Sequence, residues 1–140
     1  ADGIARSVNG RGVGAQAWGL YPRIREVDGI LRGNPLARRF IFEVHPEVSF
    51  AAWNGGMPIA DPKKLSEGME KRTKLIEEHF GHEARNAIRR RHPRNLVAED
   101  DINDAFAALW TAERIQSGVA EVIPSPPEID TLGIEMGMWY

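Results

Sequence analysis

The sequence predicts an α/β fold with one layered core, a mixed sheet with helices packed on it, because segments of helical period alternate with short strand-like segments. Apolar residues recur every three or four positions in several segments. RRFIFEVH and IEMGMWY are instead short, alternating and rich in β-branched or aromatic residues. The 140 residues are 42% hydrophobic and 27% charged, which is typical of globular domains. We therefore expect residues 1–140 to form a single domain.

The helices are predicted from apolar spacing and from residues that begin or end a helix. Pro46 suits a first helical position, and Gly33 and Gly118 suit the positions that follow a last turn. The predicted helices cover residues 16–32, 46–53, 62–80, 82–91 and 98–118. The glycine-rich opening, residues 1–16, is predicted to be a loop.

Three strands are predicted, over residues 39–45, 119–123 and 134–140. In the first, Ile41, Glu43 and His45 share one face because side chains alternate along a strand. PSPPE, residues 124–128, is predicted to be a stiff loop between the other two strands.

Composition excludes several classes of protein. The chain has no cysteine, so it cannot form a disulfide framework or a thiolate metal site, and any metal must bind oxygen or imidazole. The net charge of −2 gives no general attraction to nucleic acid, so such a partner would need a local basic patch. No run approaches the ~20 apolar residues of a membrane span, and no signal-like segment opens the chain. We therefore expect a cytoplasmic location.

Carboxylates on two segments are the leading candidates for chemistry. Glu43 lies in an apolar strand, and Asp101 and Asp104 are three residues apart at the start of the last helix. Small side chains at 105, 108 and 112 continue the side of the helix that carries these acids and predict a close approach to a sheet. Clustered carboxylates favour a hard cation such as Mg²⁺ or Mn²⁺. The alternative is that such acids only complement the helix dipole, which is how we interpret Asp100.

Two residues that follow Glu43 closely in the sequence, His45 and Glu47, are further candidates. His45 points the same way as Glu43, so it is a candidate catalytic residue that contacts substrate phosphate or moves a proton, or a residue that only orients Glu43. Glu47 follows Pro46 and is predicted either to cap the short helix or, like His45, to belong to the site.

Two groups of basic residues could meet phosphate. The arginines of RNAIRRRHPR are interpreted as a solvated helix face rather than a phosphate site. Lys63 and Lys64 have the same two interpretations.

Four segments in order resemble a domain-of-unknown-function family of predicted RNase H-like nucleases. They are AQAWGLYPRIREVDGIL, FEVHPEVSFAAWNGG, KKLSEGMEKR and DDINDAFAALWTAERIQSG. The resemblance implies that residues 39–45 are the fourth strand of an RNase H-like fold and that Glu43 is its acidic residue. It also matches Asp101 and Asp104 to the helical acids, with the spacing found in Holliday-junction resolvases.

The resemblance covers only a C-terminal portion of that fold. The strand that carries the family's first aspartate has no counterpart here, so residues 39–45 are expected to present a free edge to a partner strand or to a second copy of the chain. Two hypotheses follow. One is a Mg²⁺- or Mn²⁺-dependent nuclease, incomplete for catalysis as it stands, with Glu43, Asp101 and Asp104 as ligands. The other is a non-catalytic module that binds nucleic acid or protein.

Overall fold

The computed structural model describes residues 3, 6, 7 and 10–140, which form two compact units. The first comprises the described residues up to Ile41 together with Thr131–Ile134, and the second comprises Phe42–Asp130 and Glu135–Tyr140. The prediction of one domain over the whole chain stays a prediction.

The first unit is built on helix α1, Ala15–Gly33, close to the predicted 16–32. Arg38 fastens the segment after α1: its Nε donates to Leu31 O at 2.7 Å and its Nη1 to Leu132 O at 3.0 Å. The predicted opening loop is wrong at residues 3, 6 and 7, which are helical, and most of its other early residues lie outside the described ones.

The predicted strand 39–45 is wrong over most of its length. Residues Ala37–Arg39 form a 3-10 helix, and only Glu43–Val44 pair as a strand, β1. The Asn34 side chain accepts from the amides of Leu36 and Ala37, at 3.0 and 3.3 Å. This local hydrogen bonding turns the backbone and overrides the strand propensity of the residues that follow.

The second unit contains a mixed sheet of β1, β2 (Val122–Ile129) and β3 (Glu135–Trp139), in the order β1-β3-β2. Strand β3 is parallel to β1 and antiparallel to β2, with Glu43 opposite Met138. One edge of β1 is therefore paired with β3, and no described residue pairs with the other.

Two sequence predictions are wrong in the region of strand β2. The PSPPE loop lies inside it, because the fixed φ of proline suits an extended chain, and the register is irregular between Ile123 and Glu128, where prolines lack ladder donors. The strand also begins later than the predicted 119. The amides of Val119 and Ala120 bond back to Arg114 O, at 3.0 and 3.2 Å, and so extend the helix terminus.

The remaining helices follow the predictions closely. They are α2 (Pro46–Trp53), α3 (Ser66–Phe80), α4 (His82–Arg91) and α5 (Glu99–Gln116). Helix α3 begins four residues after the predicted position 62, because a turn from Pro62 O to the Leu65 amide precedes it. The α/β class is confirmed. Within the described ranges, every helix is too short or too polar to cross a membrane.

The core of the second unit lies between α2, α3 and α5. Phe50, Ile76 and Ala107 are fully buried there, and the Trp53 ring stacks between Phe50 and Trp110, with centroids 5.9 and 5.0 Å away. The predicted small-residue contact of α5 with a sheet is wrong, since Ala105 and Ala112 are exposed. The opposite, aromatic face of α5 buries more apolar area, and that face enters the core.

Candidate functional site

The first turn of α5 assigns Asp101 a structural task. The residue before the helix is Ala98, whose methyl group cannot cap the free amides. Asp101 Oδ2 instead accepts from the Ala98 amide at 3.1 Å, which is the returning half of a capping box. Asp101 therefore caps the helix, because only the third helical residue reaches back to that amide. Asp100 lies beside it in the same first turn, and its interpretation as an acid that complements the helix dipole stays a prediction.

Asp100 and Asp104, one helical turn apart, share the ammonium group of Lys63. Lys63 Nζ lies 2.7 Å from Asp104 Oδ2 and 3.4 Å from Asp100 Oδ2. All three side chains are partly buried, with 34% of the Lys63 side chain exposed. Lys63 is thus a counter-ion of the acids rather than part of a solvated helix start.

Charges and hydrogen bonds are shared unequally among Lys63, Asp100 and Asp104. The hydrogen bond to Asp104 raises the pKa of Lys63 above its usual range, and the charges of both aspartates act the same way, against a smaller opposing effect of burial. The second oxygen of Asp104, Oδ1, is buried and has no hydrogen-bond partner among the described residues. A site with two carboxylates and one ammonium therefore keeps a surplus negative charge and an unsatisfied acceptor.

A tight backbone contact places Lys63. Helix α3 contains Gly68, and a Cβ built there would lie 2.2 Å from Pro62 O and 2.6 Å from Asp61 O. The absence of a side chain at residue 68 lets the segment before Lys63 lie directly on the helix.

Arg72 holds the same segment from inside. Its Nη1 donates to Asp61 O at 3.1 Å and to Gly68 O at 2.7 Å. Its Nε and Nη2 bind the two carboxylate oxygens of Glu47, at 3.2 and 2.6 Å. One buried guanidinium therefore ties α2, α3 and the Lys63 segment together.

The residues around Glu43 are placed differently from the sequence prediction. Glu43 is exposed on β1. His45 precedes α2, and its Nδ1 accepts from the Glu47 amide at 3.3 Å, so His45 caps this helix. The prediction that Glu47 caps it is wrong, because the Glu47 carboxylate is drawn to Arg72. With Nδ1 accepting this bond, Nε2 carries the proton of the neutral imidazole ring.

Helix α2 is joined to α5 by a buried hydrogen bond. Ser49 Oγ and Thr111 Oγ1 are 2.8 Å apart, and both residues are fully buried. Together with the stacked Trp53 and Trp110 rings, this bond fixes α2, which follows Glu43 and His45, against the helix that carries the aspartates.

The arginine run is only in part a solvated face. Arg85 and Arg94 bind Glu99, at 2.6 and 3.0 Å, and Arg89 lies 3.4 Å from it. Arg89 also donates to Val97 O at 3.0 Å. Burial raises the pKa of Glu99, but the three arginines outweigh it and hold that pKa below its usual value. Arg85 and Arg89 thus fasten the start of α5, because the partly buried Glu99 needs counter-charges.

Of the three predicted metal ligands, Asp104 shares the Lys63 ammonium with another carboxylate, and that carboxylate is Asp100, which was not a predicted ligand. The described residues contain no cluster of three or more histidine, aspartate and glutamate side chains that could hold a metal. The acids that do meet are Asp100 and Asp104. The set of Glu43, Asp101 and Asp104 stays a prediction.

Comparison with known proteins gives a family. The family model described as "Protein of unknown function (DUF429)" matches residues 1–129. The chain belongs to the DUF429 family. No curated protein matches it, and no solved structure does.

In this DUF429 protein, sequence reasoning missed the residues that set the geometry. The pairing of Asp100 with Asp104 was visible as a one-turn spacing, but we interpreted Asp100 as an acid that only complements the helix dipole. Gly68 and Arg72 carry no local signal, since a glycine and an arginine in a polar helix look ordinary until the chain folds.

Proposed function

We propose that this DUF429 chain carries acidic ligands of a Mg²⁺- or Mn²⁺-dependent nuclease of RNase H-like type. The observation that carries the proposal is the Asp100–Asp104 pair, which among the described residues has one ammonium for two carboxylates and a buried Asp104 oxygen without a hydrogen-bond partner. The four-segment resemblance and the exposed Glu43 add support.

The donor chemistry fits such a metal. Carboxylate oxygens are the ligands that Mg²⁺ and Mn²⁺ prefer, and Mg²⁺ keeps several waters, so one or two protein carboxylates suffice when substrate phosphates complete the shell. Asp104 and Asp100 would hold the ion, with Glu43 as the predicted third ligand. A bound divalent ion would activate water and stabilise the leaving oxygen of a phosphodiester.

The chain's own residues have defined tasks in this proposal. Arg72 and Gly68 position the Lys63 segment, while Arg85 and Arg89 hold the start of α5. His45, through its Nε2, is the candidate that contacts a substrate phosphate or moves a proton. The exposed edge of β1 is the proposed pairing site for a partner strand or a second copy.

Metal titration tests the ligand set. Isothermal titration of the purified protein with Mn²⁺ should give a binding isotherm that is weakened at least ~10-fold by D104N and by E43Q. The control is E83Q, which removes an exposed acid on α4. Comparing D100N with D101N identifies which residue binds the metal together with Asp104, since only the substitution of a true ligand lowers the affinity for Mn²⁺. Unchanged affinity in an E43Q/D104N double variant would overturn the metal site.

Cleavage assays test the reaction. Single-stranded, duplex, hybrid and branched substrates are incubated with the protein and Mn²⁺, with the D104N variant in parallel. The proposal expects Mn²⁺-dependent cleavage of one of them, in the protein alone or with its partner strand supplied, that D104N abolishes. Equal cleavage by D104N would contradict it.

A specific observation favours the second function, a non-catalytic module that binds nucleic acid or protein. Each acid at the start of α5 has a structural partner: Glu99 binds arginines, Asp101 caps the helix, and Asp100 and Asp104 bind Lys63. This pairing of every acid with a structural partner is the arrangement expected for acids whose only role is to stabilise the fold. A fall in stability but no change in Mn²⁺ binding across the aspartate variants would support this function.

A further inference from the structure

The position of Lys63 between two carboxylates bears on how any cation reaches them. Lys63 Nζ lies within hydrogen-bond distance of Asp104 Oδ2 and close to Asp100 Oδ2. An ammonium is a compact charge on a flexible stem, so it can leave its partners without any change in the backbone. The neighbouring Lys64 is exposed, which makes it a natural comparison.

The ammonium satisfies the pair only in part. Two aspartates one turn apart on a helix repel each other, and one ammonium neutralises half of their charge. The buried Asp104 Oδ1 receives no hydrogen bond from any described residue. A divalent cation would neutralise both carboxylates and could use the oxygen that Lys63 does not reach.

We propose that Lys63 is an exchangeable internal counter-ion: it holds Asp100 and Asp104 in the metal-free protein, and a divalent cation displaces it on binding. This inference rests on the proposed metal site. It makes Lys63 a negative regulator of cation affinity, because each binding event must first break the lysine ion pair. The displaced ammonium stays tethered beside the site, where a substrate phosphate is a suitable new partner.

Mn²⁺ affinity is the first test, measured by isothermal titration for the unsubstituted protein, K63M and K64M. Removing the competing ammonium should tighten Mn²⁺ binding about fivefold to tenfold in K63M and leave K64M unchanged. Weaker or unchanged binding in K63M would overturn the inference, since it would mean that Lys63 supports the site or lies outside it.

A second measurement uses the unsubstituted protein and so does not depend on how K63M folds. A short pulse of acetic anhydride, followed by peptide mass spectrometry, reports the exposure of each lysine amine. Adding Mg²⁺ should increase acetylation of Lys63 severalfold relative to Lys64, because the ammonium is released from the aspartates. An unchanged or lower ratio would contradict the exchange.

The outcomes separate this inference from the nuclease proposal. Displacement of Lys63 by Mg²⁺ without cleavage of any substrate would support the counter-ion role while the nuclease proposal fails. Mn²⁺ binding with an unaltered Lys63 acetylation ratio would remove the counter-ion role and leave the metal site intact. No Mn²⁺ binding in any variant, K63M included, would overturn both.

Discussion

Arg72 and Glu47 form a two-pronged ion pair inside the second unit, with Nε–Oε1 and Nη2–Oε2 distances of 3.2 and 2.6 Å. Only 2% of Arg72 is exposed, and its remaining terminal nitrogen is satisfied by Asp61 O and Gly68 O. The guanidinium also lies 5.7 Å from the centre of the Phe50 ring. A buried charge with this many partners links the segment after β1 to the segment that carries Lys63.

Removing the Arg72 side chain should be severely destabilising. We expect Arg72→Met to lower the free energy of unfolding by about 3–5 kcal/mol, because it leaves Glu47 and two carbonyls without their donor. Arg72→Lys should also lower the free energy of unfolding, but by less than Arg72→Met, since a lysine ammonium keeps the charge and cannot make the planar two-pronged contact. Urea unfolding followed by tryptophan fluorescence measures this. Lys74→Met, which breaks an exposed pair with Glu78, should cost less than ~1 kcal/mol, and an equal loss in both would contradict the assignment.

The contact at Gly68 predicts that alanine destabilises a helix. Gly68→Ala should lower stability by at least ~1 kcal/mol despite the higher helix propensity of alanine, because its Cβ would meet backbone oxygens. Gly29→Ala in α1 is the matched control, since nothing lies within 4 Å of a Cβ there, and it should be neutral or stabilising by up to ~1 kcal/mol. Thermal unfolding compares the two. Stabilisation by Gly68→Ala would show that the close approach is absent in solution.

The buried hydrogen bond between Ser49 and Thr111 should appear as coupling in a double-mutant cycle. Ser49→Ala and Thr111→Val should each cost about 1–3 kcal/mol, because each leaves the partner hydroxyl buried without its bond. The double variant should cost clearly less than the sum of the two. Strict additivity of the unfolding free energies would mean that the hydroxyls do not interact.

The depressed pKa of Glu99 predicts a contribution to stability that depends on pH. A carboxyl whose folded pKa is lowered stabilises the protein above its unfolded pKa, about 4.3, and loses this contribution as the pH falls through the lower folded value. Glu99→Gln should therefore reduce stability at neutral pH and flatten its decline below pH ~4.3. Chemical unfolding from pH 7 to 3 measures this. Glu83→Gln, at an exposed pair, should leave the pH profile unchanged, and an equal change in both would contradict the role of Glu99.

The helices were the part of the fold most accessible to sequence reasoning. Helix α4 begins and ends where predicted, because Gly81, with a positive φ, precedes it and the segment HPRN, residues 92–95, contains a proline that ends it locally. Strand β1 was overestimated, because Asn34 forms a turn upstream of residues that would otherwise suit a strand. Strand β2 was underestimated, because prolines suggest a loop unless a partner strand is known.

The candidate site likewise has some features that the sequence determined and others that only the tertiary structure decided. Sequence alone determined that acids cluster at the start of α5, that Glu43 stands in a strand segment, and that any metal must be bound by oxygen or imidazole, since these depend on residue type and short spacing. Only the tertiary structure decided that Asp101 caps the helix, that Asp100 pairs with Asp104, and that Lys63 binds them both. Lys63 and Asp104 are 41 residues apart, and their contact depends on a buried arginine and a side-chain-free glycine. Such contacts leave no periodic trace in the sequence, because the groups that make them meet only after the chain has packed.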